Sequence, residues 1–147
     1  MNIKLEQDRN QKDMEVLIRY APHMDSTVRR LEDYLRTYDR TLKCSADQRE
    51  VWLHAADIYY AESVDKHTFV YGEKEVYRSE LRLYQLLEEL ADAGFVQVSK
   101  SCVLNIRVLE SIRPLINSRM EAVLTNGERI NVTRKYVSVI KEMLQER

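Results

Sequence analysis

The pair Asn126-Gly127 stands between two alternating apolar–polar stretches, "RMEAVL" and "ERINVT". Asn and Gly tolerate the positive φ that tight hairpin turns require, so this is the strongest short hairpin signal in the chain. It commits the C-terminal third to antiparallel strands. Other segments repeat the pattern. "TLKCSADQREVWLH" reads as a hairpin around "SADQ", and "HTFVYGEKEVYRS" as a second one turning at "GEK". "DIYY", "FVQVS" and "VLESIRPLI" read as further short strands.

Helices punctuate this series without alternating regularly with it. "DSTVRRLEDYLRTY" carries Val28, Leu31, Leu35 and Tyr38 at helical spacing, with Asp25 or Ser26 as the expected cap. "SELRLYQLLEELADAG" predicts an amphipathic helix capped by Ser79, buried through Leu83, Leu86, Leu87 and Leu90, and stopped by Gly94. "RKYVSVIKEML" predicts a closing helix with Val137, Ile140 and Leu144 on one side. Before the first helix, "MNIKLEQ" and "MEVLIRYAP" read as two strands joined by a polar turn and closed by Pro22. The expected fold class is therefore α+β, mostly antiparallel β, with short helices and a β-β-α extension over residues 1–45.

Hydrophobic residues make up 44% of the 147 and charged residues 32%, a balance that supports one domain-sized core. No apolar run approaches the roughly 18 residues of a bilayer span, and no signal peptide opens the chain, so the expected location is the cytoplasm. Cys44 and Cys102 are far apart and in no metal-ligand spacing, which predicts buried, reduced thiols. The formal net charge is −1, but it is unevenly spread. Residues 1–45 hold nine cations against eight anions, residues 46–96 five against eleven, and residues 97–147 nine against five. A basic C-terminal third can present one positive face to a polyanion.

The residues argue against an enzyme. There is no Gly-rich phosphate loop, G-x-S-x-G, H-E-x-x-H or C-x-x-C, and His23, His54 and His67 have no second ligand at metal-binding spacing. A triad of Asp65, His67 and Ser101 has no local support. No cofactor is implied.

Three separated motifs carry a family likeness. "DIYYAESVDKHTFVY", "GFVQVSKSCVLNIRVLESI" and "LTNGERINVTRKYV" occur in that order over residues 46–147. Together they resemble the LytTR-type DNA-binding domain of bacterial transcription regulators. The resemblance implies a compact, mainly antiparallel β domain that reads the major groove of double-stranded DNA through loops, without a recognition helix. Carried over by position, the DNA-binding candidates are Lys66, His67, Ser99, Lys100, Thr133, Arg134 and Lys135. Ser99-Lys100 replaces the His-Arg of many members, exchanging a bidentate reader for a single ammonium and altering the expected sequence preference.

Arg134 has the fork that suits guanine O6 and N7, whereas Lys100 and Lys135 suit phosphates. Phe95, Val103 and Tyr136 fall at apolar periodicity and belong to the core, and Asn105 is expected to organise a turn through its side chain. Residues 1–45 lie outside the motif and lack a receiver-domain pattern, so a stand-alone regulator is expected, with the segment either extending the domain's own sheet or forming a dimer contact; the expectation is an integral extension with some role in pairing. The family's habit of occupying repeats implies a homodimer or paired monomers on DNA. A membrane-bound regulatory partner is open to such regulators, but no residue here encodes it. The competing reading is a protein–protein adaptor with a basic C-terminal face.

Overall fold

In the computed structural model, residues 1–145 are described. Ten strands form two antiparallel sheets, with three α-helices around them. After helix α1 (Asp25–Arg36) come β1 (Thr41–Ala46), β2 (Arg49–His54), β3 (Tyr60–Val64), β4 (His67–Tyr71) and β5 (Val76–Ser79). Helix α2 (Leu83–Leu90) leads to β6 (Phe95–Ser99) and β7 (Cys102–Asn105). Then β8 (Leu109–Pro114), β9 (Met120–Leu124) and β10 (Arg129–Val132) precede α3 (Arg134–Gln145). The larger sheet runs β2-β1-β5-β4-β3-β7-β6, and the smaller β10-β9-β8. The mostly antiparallel α+β class expected from the pattern is the class observed.

Strand β7 shows how the layers are built. All four of its residues are buried. Cys102 and Leu104 point into one core with Val96, Val98, Met120, Leu124, Val132 and Ile140. Val103, on the opposite face, joins Phe95, Ala61, Val70, Leu86 and Leu90 in a second core. A strand covered on both faces reads as a continuous apolar run, which is why "CVL" shows no alternation. The first core is closed by the smaller sheet and α3, and the second by α2.

The hairpins at "SADQ" and "GEK" form where expected. The Asn126-Gly127 hairpin closes through a three-residue loop. Leu124 N–H donates to Glu128 O at 2.9 Å, Gly127 N–H donates to Leu124 O at 2.9 Å, and Gly127 alone takes the left-handed φ, +89°. Asn126 keeps a negative φ and uses its side chain instead, accepting from Glu128 N–H and donating to Glu73 O.

Three local expectations need correction. Residues 1–21 form no strand, and every one of them is exposed except the half-buried Ile18. Alternation gives a strand only when a neighbouring edge satisfies the backbone, and residues 1–21 pair with none of the sheet edges of this chain. Helix α1 has neither Asp25 nor Ser26 as its cap. Met24 occupies that place, Asp25 lies inside the first turn, and Tyr20 Oη donates to the Asp25 carboxylate at 3.1 Å. Ser79 does not cap α2 either. It ends β5 and accepts from Leu81 N–H, while the helix starts at Arg82, whose N–H donates to Gln85 Oε1 at 2.8 Å. Gly94, at φ +88°, stops the helical segment as expected.

Both cysteines are buried free thiols. Burial pushes Cys44 up to about 11, and burial together with the Glu62 carboxylate pushes Cys102 up to about 12. Strand β1 begins at Thr41 and runs across the expected boundary at residue 45.

Candidate nucleic-acid interface

Antiparallel pairing decides where the predicted residues go. Strand β3 pairs with β7 through Glu62↔Cys102, so the β3–β4 and β6–β7 turns emerge at the same end of the larger sheet. They are stitched together there by Ser63 N–H donating to Ser101 O at 2.8 Å. Thr133, just past β10, joins the same end: its N–H donates to Val98 O at 3.0 Å, and its hydroxyl to the same carbonyl at 3.4 Å. All three predicted segments are thereby brought together by main-chain contacts.

The first segment is a two-residue turn in which Asp65 and Lys66 both take positive φ, +50° and +67°. This is the turn whose twist suits a hairpin, and it holds Lys66 and His67 exposed at the tip. In the second, the ladder shifts register between Gln97 and Ser99, and Ser99 Oγ accepts from Ser101 N–H at 3.3 Å. Lys100 is exposed at the apex.

The third segment opens α3. Arg134 and Lys135 are exposed in its first turn, where no acidic residue is present. Cations are unfavourable at a helix N-terminus, because the free N–H groups already carry positive potential there. An anion held close to these groups would offset that cost. Lys135 also lies over the Tyr136 ring, 5.5 Å from its centroid, which restricts the ammonium. Phe95 and Val103 are buried and Tyr136 is half-buried, as core residues should be.

Two cations belong to this end of the molecule that the sequence reading did not single out. Arg78 on β5 donates through Nη2 to Nδ1 of His67. A guanidinium can only donate, so Nδ1 accepts and Nε2 carries the ring proton, free to meet an acceptor outside. The set Asp65, His67 and Ser101 is therefore not wired as a triad. Arg82 lines two adjoining shallow cavities, one of about 440 Å³ with Lys66, His67 and Arg78, the other of about 410 Å³ with Lys100 and Ser63. It bridges the first two turns. The signal was the i, i+4 pair of arginines in "YRSELR", masked by taking that stretch as the start of a helix.

The cations at this end share one further property. Among the described residues, Lys66, Arg78, Arg82, Lys100, Arg134 and Lys135 form no ion pair. The ion pairs present, such as Arg29–Asp25, Arg40–Asp92, Lys43–Glu50 and Arg113–Glu121, all lie elsewhere. No cluster of three or more His, Cys, Asp or Glu residues able to hold a metal occurs among the described residues, and no helix is long and apolar enough to cross a membrane.

Residues 48–145 match the model of the LytTr DNA-binding domain family. The chain is 29% identical over 103 residues to the sensory transduction protein LytT of Bacillus subtilis, covering 70% of this chain and 43% of that protein. It is 28% identical over 88 residues to LytT of Enterococcus faecalis, covering 60% and 36%. With the transcriptional regulatory protein YpdB of Escherichia coli K12 it shares 30% over 78 residues, covering 53% and 32%. The chain thus spans less than half the length of these relatives. A solved LytTr DNA-binding domain from Bacillus cereus superposes with a TM-score of 0.66 at 22% identity, covering 71% of this chain and 95% of that one. The family model accounts for most of the chain and includes all three turns, and on that ground the protein belongs to the LytTr DNA-binding domain family.

Proposed function

We propose that this protein is a sequence-specific, DNA-binding transcription regulator that works in the bacterial cytoplasm. Lys66, His67, Ser99, Lys100, Thr133, Arg134 and Lys135 enter successive major grooves at promoter repeats, with Arg78 and Arg82 completing the surface. Residues 46–147 together with the rest of strand β1 form the DNA-binding unit, and the part of residues 1–45 before that strand is an extension that serves pairing. Two copies act together, as a homodimer or as paired monomers on the repeats.

The observation that carries this reading is the convergence of three turns whose cations have no carboxylate partner. Unneutralised lysines and arginines fixed on short turns suit a phosphate backbone, which exchanges condensed counterions for them. His67 Nε2 and the Arg134 fork supply directional donors for base edges.

The same cations could meet an acidic protein, which is the adaptor reading. Fluorescence anisotropy on labelled duplexes from the protein's own upstream region, at two salt concentrations and beside scrambled duplex, separates the two. A regulator binds its own region more tightly than scrambled DNA and loses affinity steeply with salt. Arg134→Ala abolishes the preference. Equal binding to both duplexes, or none, rejects the proposal.

A further inference from the structure

The segment "MEVLIRY", residues 14–20, is the part of the molecule whose chemistry is left unused. Among the described residues, the backbone N–H and C=O groups of 15–20 make no hydrogen bond. Met14, Val16 and Tyr20 are exposed and Ile18 only half-buried, although alternation puts all four on one face. Helix α1, which follows, buries none of its residues. Its stripe of Val28, Leu31 and Leu35 is only half-covered. A segment whose alternation gives it one apolar face when extended, leading into a helix with a half-open apolar stripe, has the makings of half a packed layer.

Its sequence also says what the other half is. Laid antiparallel against itself about Leu17, the segment sets Glu15 opposite Arg19, Val16 opposite Ile18, and Met14 opposite Tyr20. Both charged pairs are attractive, and every even position meets an apolar partner. Such self-complementarity is what a two-fold interface requires, since each residue i meeting j must also have j meeting i.

We propose that two copies of this chain dimerise through residues 14–20, paired as antiparallel strands about a two-fold axis at Leu17. Met14, Val16, Ile18 and Tyr20 of both copies lie over the two α1 helices, and Glu15 and Arg19 pair across the strands on the outer face. An isolated two-strand ribbon is marginal in water, and the α1 stripes provide the packing that makes it stable. Tyr20 Oη, donating to Asp25 at 3.1 Å, ties the strand's end to the start of that helix. The dimer supplies the contact for the pairing proposed above, yet it is measured without DNA, so either proposal can fail alone.

The test is sedimentation of the full chain at several concentrations, for wild type, Glu15→Arg, Arg19→Glu and an equimolar mixture of the two variants. Each single variant sets like charges opposite each other at both symmetry-related positions, and the mixture restores opposite charges at both. The expected result is a wild-type dimer, self-association weakened about tenfold or more in each variant, and recovery in the mixture. A second measurement fixes the register. Oxidation should cross-link Leu17→Cys, which meets itself on the axis, far faster than Val16→Cys, which faces Ile18. Cys44 and Cys102 are buried and do not compete. A monomeric wild type, variants that dimerise as well as wild type, or a mixture no tighter than its components each overturn the proposal.

Discussion

Arg78 Nη2 donates to Nδ1 of His67 from the neighbouring strand, so the imidazole that would face DNA is oriented by a guanidinium. Removing either residue should weaken binding to the preferred duplex by about 1–3 kcal/mol if His67 meets a base edge. Because the two act as a unit, His67→Ala combined with Arg78→Ala should cost less than the sum of the single losses. Anisotropy titrations of the four proteins complete the double-mutant cycle, and simple additivity contradicts the arrangement.

On the proposed surface Arg82 is expected to act through its charge and not through a base contact, since it lies between the two turns. Its backbone N–H is held by Gln85, and that bond survives loss of the side chain. Arg82→Ala should leave the melting temperature unchanged, weaken preferred and scrambled duplexes alike, and reduce the salt slope by about one. The check is the dependence of log K on log salt for both duplexes.

Asn105 is 1% exposed and uses both ends of its amide. Nδ2 donates to Ile58 O at 2.9 Å, and Oδ1 accepts from Arg107 N–H at 3.0 Å. Asn105→Leu fills similar volume but takes the buried amide donor away from the Ile58 carbonyl, so denaturant unfolding should show a loss of about 1–3 kcal/mol.

Gly94 and Gly127 both take a left-handed φ, near +88° and +89°, but in different surroundings. A Cβ at Gly94 would come within 3.3 Å of Ile106 Cγ2, while one at Gly127 meets nothing within 4 Å. Gly127→Ala should cost about 1 kcal/mol through backbone strain alone, and Gly94→Ala measurably more. Melting temperatures of the two variants give the order.

Alkaline pH should destabilise the fold in a defined window. The Cys44 and Cys102 thiols are held above their ordinary value of 9.0, at about 11 and about 12, chiefly by burial. The unfolded chain therefore ionises first and binds fewer protons, so stability is fully present below pH 9 and falls as pH rises through 9 toward 12. Tyr60 and Tyr71, raised mainly by burial, push the same way above pH 10. Replacing both cysteines with Ala should flatten the 9–10 portion of a stability–pH curve.

The sheet was legible because one-sided strands and their turns leave period-two and turn-residue marks, as "TLKCSADQREVWLH" and "HTFVYGEKEVYRS" do. Residues 1–21 carry the same mark without the outcome, since pattern reports a preference and says nothing of a partner. The interface was legible only in pieces. Lys66 and Lys100 sit on turns, and Arg134 at a helix start, that sequence could name. That Arg78 reaches His67, and that Arg82 lies between two turns, depends on β5 lying beside β4 and on the helix starting at Arg82 instead of Ser79. Those are facts of register and of one cap, which no periodicity encodes.

Strand β7 sends alternate side chains into two separate cores and is hydrogen-bonded on both edges. Neither core can loosen without disturbing the strand they share, so its amides should be among the last in the molecule to exchange with solvent. The turn carrying Lys100 is the direct continuation of that strand. Its exposed apex grows out of that doubly covered strand, so the backbone from which the Lys100 side chain springs is held in place while the ammonium on its flexible stem stays free to swing.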